Sequence, residues 1–254
     1  DKIRFGRSRK SMLMSDKEKR VTAYHEAGHS IITVKEEHAD PLHKVTIIPR
    51  GMALGVTMAL PEQDRHGMGK KEMLARLRVC FGGRIAEDLV CEDITSGAQN
   101  DIEQATELAR LMVTKWGMSE KVGPVSYAEG EEHMFLGREV TRTVNHSEAT
   151  AKLIDDEVKV LLTDAYAEAE RMLRDNMEGL HAVSEALLVH ETLSGEEVNA
   201  ILRGEDISAS REAEDKARAA TSPTDDATQN DEAGDAAEEG KRSDDGRPAE
   251  GFAY

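Results

Sequence analysis

Five residues constrain this chain more than any others: His25-Glu26-Ala27-Gly28-His29. On an α-helix, positions i and i+4 lie on one face, one turn apart. Both imidazoles can then address a single ion. Glu26, on the adjoining edge of that face, can reach a water beside the ion but cannot comfortably ligate it. His-Glu-x-x-His on a helix is a zinc-hydrolase signature in which the Glu is the general base. The flanking residues support a helix. Ser15-Asp16-Lys17-Glu18 reads as a capping box, and no Pro intervenes before about Glu36. Val21, Tyr24, Gly28, Ile31 and Ile32 are spaced to form an apolar stripe that includes the histidine face. Gly28, inside the helix, costs about 1 kcal/mol relative to Ala and admits the close approach of another backbone. The bland alternative is two core histidines on an amphipathic helix; a Glu directly after the first His favours zinc.

The formal net charge of −17 over 254 residues argues against nucleic acid or an anionic membrane surface as the main partner. Residues 205–254 hold 15 acidic and 6 basic residues, so much of that charge sits at one end. With only Ile207, Phe252 and Tyr254 as larger apolar residues, this stretch reads as an acidic, disordered tail over 204–254. Cys80 and Cys91 are too few for a disulfide framework and are expected as buried thiols in a reducing compartment. No run of 18 apolar residues suggests a membrane span. The opening Asp1-Lys2-Ile3-Arg4-Phe5-Gly6 reads like the middle of a longer protein, and residues 1–14 like a connector.

Along the rest of the chain the pattern is mainly helical, with one small antiparallel hairpin. The hairpin is expected from Lys44 to Pro49 and from Leu54 to Leu60. Pro49 and Gly55 suggest an edge or bulged strand. Such an edge beside a hydrolytic site could take an extended peptide as an added strand, which makes Leu54, Gly55, Val56 and Thr57 candidate substrate-binding residues. Residues 69–90 predict a helix interrupted at Gly82-Gly83. A further helix reaches about Trp116, with Gly117 as its stop. Long helical patterns follow from His146 to about Asn176 and from Met177 to His190, and Ser194-Gly195-Glu196-Glu197 opens a last short helix that Gly204 ends. Gly67-Met68-Gly69-Lys70 fails as a phosphate loop, because Asp64 and Lys71 replace the required Gly and Ser/Thr. No nucleotide site is expected in this chain.

Catalytic zinc usually has three protein ligands and one open position. Two residues compete for the third place. Asp101 stands in the first turn of a helix, where a carboxylate also suits the helix dipole. Glu87 follows Gly82-Gly83 on another helix. Spacing alone does not choose between them. The extended pattern with Gly and a third His fails, since Ile32 and Lys35 hold those places.

Several motifs occur together and in order. They are His25-Glu26-Ala27-Gly28-His29, Lys44-Val45-Thr46-Ile47-Ile48-Pro49-Arg50-Gly51, Leu54-Gly55-Val56-Thr57, Gly82-Gly83-Arg84-Ile85-Ala86-Glu87 and Ser96-Gly97-Ala98-Gln99-Asn100-Asp101. Trp116-Gly117-Met118-Ser119 and Phe135-Leu136-Gly137 continue the series. In this combination the chain resembles the FtsH family of membrane-anchored, ATP-dependent zinc proteases, over roughly residues 1 to 203. The resemblance implies a mostly helical zinc-metallopeptidase domain over 15–203, with Zn2+ held by His25, His29 and Asp101, and Glu26 as general base. It leaves Glu87 beside the metal site or in an ion pair with Arg84. It implies polypeptide substrates, namely unneeded membrane proteins and short-lived soluble ones, and a homo-hexamer. ATP and Mg2+ would belong to an upstream ATPase module, and the membrane contact to an N-terminal region before it. The full-length protein is then expected in a bacterial inner membrane or an organellar equivalent, with this domain on the cytoplasmic or equivalent side. The rival readings are a free-standing zinc peptidase and a non-catalytic module with structural zinc.

Overall fold

A computed structural model describes residues 14–49, 53–61, 67–91, 95–127, 146–208 and 211. Helix α1 spans Asp16–Lys35. Ser15 and Glu18 form the expected capping box: Ser15 Oγ accepts from the Glu18 amide, and Glu18 Oε2 accepts from the Ser15 amide at 2.8 Å. Strands β1 (Leu42–Thr46) and β2 (Val56–Ala59) follow, then helix α2 (Lys70–Cys91). A single 3-10 turn, Ser96–Ala98, leads into α3 (Gln99–Thr114). The chain closes with α4 (Glu148–Arg174), α5 (Met177–His190), β3 (Thr192–Ser194) and α6 (Gly195–Leu202). The fold is therefore mainly helical with a small antiparallel sheet. Among the described residues no helix is long and apolar enough to cross a membrane.

Helices α1 and α2 form the centre. Where they cross, a Cβ on Gly28 would overlap the carbonyl oxygen of Gly82, and one on Gly82 would lie 2.7 Å from the Gly28 oxygen. Only glycine at both points allows this approach. Contrary to expectation, α2 runs unbroken through Gly82-Gly83. Burial against α1 holds these residues helical despite the propensity cost of about 1 kcal/mol each. At the far end of α1, Arg78 grips the Glu36 carboxylate with two bonds, 2.7 and 2.9 Å long. Ile31, Ile32, Leu77, Ile85, Met112, Leu173, Leu180 and Leu187 fill the core around this pair. Phe81 meets Tyr166 of α4 edge to face, with ring centroids 5.4 Å apart.

The sheet has the order β2-β1-β3, antiparallel throughout, with Val45 opposite Thr57 on one side and Leu193 on the other. The hairpin expectation holds, with an irregularity between Leu42 and Lys44, although residues 50–52 lie outside the described set. Among the described residues β2 is one of the two edge strands, as Gly55 suggested, and β3 is the other. Pro49 lies beyond the end of β1, which is central and could not spare an amide. Strand β3 was not expected: three residues offer no alternation to read. Its position follows from Glu191, whose left-handed backbone (φ 60°) ends α5 and turns the chain directly into the sheet.

Ile207, assigned by composition to the tail, is only 7% exposed and belongs to the core. The compact unit therefore continues past Arg203. Cys80 and Cys91 are free and half-buried.

Candidate metal centre

His25 and His29 project from α1 one turn apart, with their rings edge to face and centroids 4.7 Å apart. Their Nε2 atoms lie 3.0 Å from each other. Asp101, in the first turn of α3, brings Oδ2 to 3.3 Å from His25 Nε2 and 3.5 Å from His29 Nε2. The 3-10 turn before α3 aims this short side chain; Thr95 caps that turn, accepting from the Gly97 amide at 3.1 Å.

The outer nitrogens fix the tautomers. His29 Nδ1 lies 2.7 Å from the Val79 carbonyl, and His25 Nδ1 lies 2.7 Å from Glu87 Oε1. Both partners only accept, so each Nδ1 carries the hydrogen and donates. With a metal ion bound, each ring would be neutral and turn an Nε2 lone pair toward the ion beside the Asp101 carboxylate. Three acceptor atoms facing one another could hold a cation among them. Ligand atoms at about 2.0–2.1 Å from a tetrahedral zinc lie roughly 3.3 Å apart, which is the spacing seen. These residues fit the ion. Without it, a proton serves: burial opposes charge on His25, but Asp101 and Glu87 overcome this and raise its pKa to about 10. Burial also works against the Asp101 charge, yet the two histidines hold that carboxyl well below its usual range.

Glu87 is 1% exposed. Its Oε2 accepts from the Thr95 amide at 3.1 Å and the Thr95 hydroxyl at 2.9 Å. Of the two places expected for Glu87, beside the metal site or paired with Arg84, its bonds to His25 and Thr95 match the first, because the buried face of α2 turns it inward. Gly83 makes room for the first histidine, since a Cβ there would come within 2.5–2.6 Å of three His25 ring atoms. Sequence reasoning identified the glycine pair as a packing feature but not its contact with the ring. It also missed Thr95 and the Val79 carbonyl, the latter a backbone group that no side-chain pattern can signal.

Glu26 is 6% exposed, and burial raises its pKa despite the neighbouring histidines. Thr57 Oγ1 donates to its Oε2 at 2.6 Å. Of the four residues expected to bind substrate, Gly55 and Thr57 pack on Glu26, Val56 is half-buried and Leu54 is 38% exposed.

Comparison with known proteins agrees with this geometry. Residues 12–201 match the family described as peptidase family M41. The chain belongs to peptidase family M41. Within that family it is 51% identical over 207 residues to the ATP-dependent zinc metalloprotease FtsH of Acidobacterium capsulatum, covering 82% of this chain and 32% of the relative. It is 50% identical over 226 residues to the protein of that name from Caulobacter vibrioides, covering 88% of this chain and 36% of the relative. To the ATP-dependent zinc metalloprotease FtsH 4 of Sorangium cellulosum it is 52% identical over 209 residues, covering 82% of this chain and 32% of the relative. This M41 chain spans about a third of the length of the curated relatives it matches. The match takes in α1 and its two histidines, the Glu87 helix and Asp101.

Proposed function

We propose that this chain is the zinc endopeptidase part of a membrane-anchored, ATP-dependent protease. The observation that carries the reading is the set of three acceptor atoms at tetrahedral spacing, with the Glu26 carboxylate alongside. His25, His29 and Asp101 would hold Zn2+. When bound, zinc supplies Lewis acidity, lowering the pKa of water to about 7 and polarising the scissile carbonyl. Glu26 takes the proton from water as it attacks and returns it to the leaving amine. Glu87 orients the His25 ring through Nδ1 and makes it a better ligand. The backbone from Leu54 and Gly55 into the start of β2, at Val56 and Thr57, receives the peptide in extended form.

The relatives' names support ATP dependence. ATP and Mg2+ act in a separate module, unfolding and delivering polypeptides; peptide hydrolysis itself is exergonic. The full-length protein is a homo-hexamer in a bacterial inner membrane or organellar equivalent, with this domain on the cytoplasmic or equivalent side. It removes unneeded membrane proteins and short-lived soluble ones. The peptidase domain runs from residue 15 to about 208, with residues 1–14 as the connector and the acidic remainder as a tail. Nucleic acid is not a partner, given the charge of −17. Casein cleavage that depends on one zinc per chain, and is lost on chelation, tests the chemistry. A chain that binds zinc but never cleaves casein would contradict it.

A further inference from the structure

Among the described residues, the side chain that bonds the Glu26 carboxylate is Thr57 on the edge strand β2. Its Oγ1 lies 2.6 Å from Glu26 Oε2 and 3.2 Å from the Glu26 main-chain oxygen. A hydroxyl has one proton to donate, and the short bond to the charged oxygen is the stronger. Gly55 lies two residues earlier, directly before β2. A Cβ at Gly55 would stand 2.6 Å from both Glu26 Cγ and Oε1 and 2.8 Å from Cδ. β2 therefore supplies a bond to one carboxylate oxygen, and the glycine that leads into it packs against the rest of the group.

We propose that Thr57 is a positioning residue for the general base: its hydroxyl fixes the rotation of the Glu26 carboxylate so that Oε1 is the oxygen presented to the reacting water. This inference rests on the reading of Glu26 as the base. The last torsion of a Glu side chain is broad and has no sharp wells of its own. A freely turning carboxylate would spend much of its time with neither oxygen aligned, and lost alignment is lost rate. The bond to Oε2 supplies the missing constraint, and the absence of a side chain at Gly55 gives the carboxylate room to lie flat. Thr57 was expected to touch substrate. Its hydroxyl bonds Glu26, so the effect of removing that hydroxyl belongs in the chemical step, and a peptide contact at Thr57 is left to its backbone.

The test uses the zinc-loaded 254-residue chain and a short fluorogenic peptide, with kcat, KM, zinc per chain and Tm measured for each variant. Thr57→Val keeps the branched shape and removes the donor. It is expected to lower kcat about 10- to 100-fold with KM and zinc content unchanged, and Thr57→Ser is expected to restore kcat. Gly55→Ala, which leaves the hydroxyl in place but displaces the carboxylate, should lower kcat in the same way and covers the case in which Thr57→Val does not fold. Wild-type kcat in Thr57→Val, a loss confined to KM or to zinc content, or a Thr57→Ser variant as impaired as Thr57→Val would overturn the proposal. Glu26→Gln is assayed alongside. If it stays active, the base assignment itself is wrong; if it is inactive while Thr57→Val is normal, only the role of Thr57 falls.

Discussion

Glu87 Oε1 sits 2.7 Å from Nδ1 of His25, on the side of the ring that faces away from the metal position. Its other oxygen takes both the amide and the hydroxyl of Thr95. One buried carboxylate thus ties the first histidine of α1 to the turn that presents Asp101. The geometry favours Asp101 over Glu87 as the third residue that could hold the ion: Asp101 lies within 3.5 Å of both Nε2 atoms, while Glu87 bonds His25 from behind.

The two carboxylates should therefore respond differently. Asp101→Asn is expected to lose most bound zinc after dialysis against apo buffer. Glu87→Gln should retain zinc near one per chain, with affinity weaker by about 10- to 100-fold. Metal analysis of both purified variants checks the order, and greater zinc loss in Glu87→Gln would reverse the assignment.

The glycines where α1 meets α2 have separable roles. Gly28→Ala drives a methyl into the Gly82 carbonyl, which is backbone and cannot yield cheaply. It should destabilise the zinc-free protein by about 1–3 kcal/mol or more in urea unfolding. Gly83→Ala instead pushes on the His25 ring. Its main effect should be weaker zinc binding in a chelator competition, and unchanged affinity would show that the ring has room to move.

How far the sequence reveals these arrangements depends on whether each signal is local. The helix carrying His25 and His29 is legible because its capping box and its motif lie within about twenty residues, although it is buried on nearly every side from Thr22 to Thr33 and shows no one-sided stripe. The boundary at Met177–His190 is legible for the same reason. Strand β3 is not, since three residues become a strand only by pairing with β1, far away in sequence. The continuity of α2 was hidden because local propensity disfavours two adjacent glycines and only packing on α1 reverses that. At the site, Glu26 and the histidines are written in the motif. The partners of Glu87 and the inward turn of Thr57 are tertiary facts, fixed by which helix and strand faces meet.

Ile207 yields a stability prediction. Truncation after Arg203 removes a buried side chain and should cost about 1.5–3 kcal/mol, whereas truncation after Ser208 keeps Ile207 and should leave urea midpoints near those of the full chain. Equal midpoints for the two truncations would show that Ile207 contributes nothing to the core.

The central claim is that Glu26 works on water and not as a ligand. Its carboxylate is held by Thr57 on β2, while the three atoms that converge on the metal position come from His25, His29 and Asp101. The most direct measurement is zinc content and casein cleavage of Glu26→Gln, side by side with the wild-type chain. Glu26→Gln keeps one zinc per chain and an unchanged fold but cleaves no casein, if the account is right. Loss of the zinc, or cleavage at the wild-type rate, would contradict it.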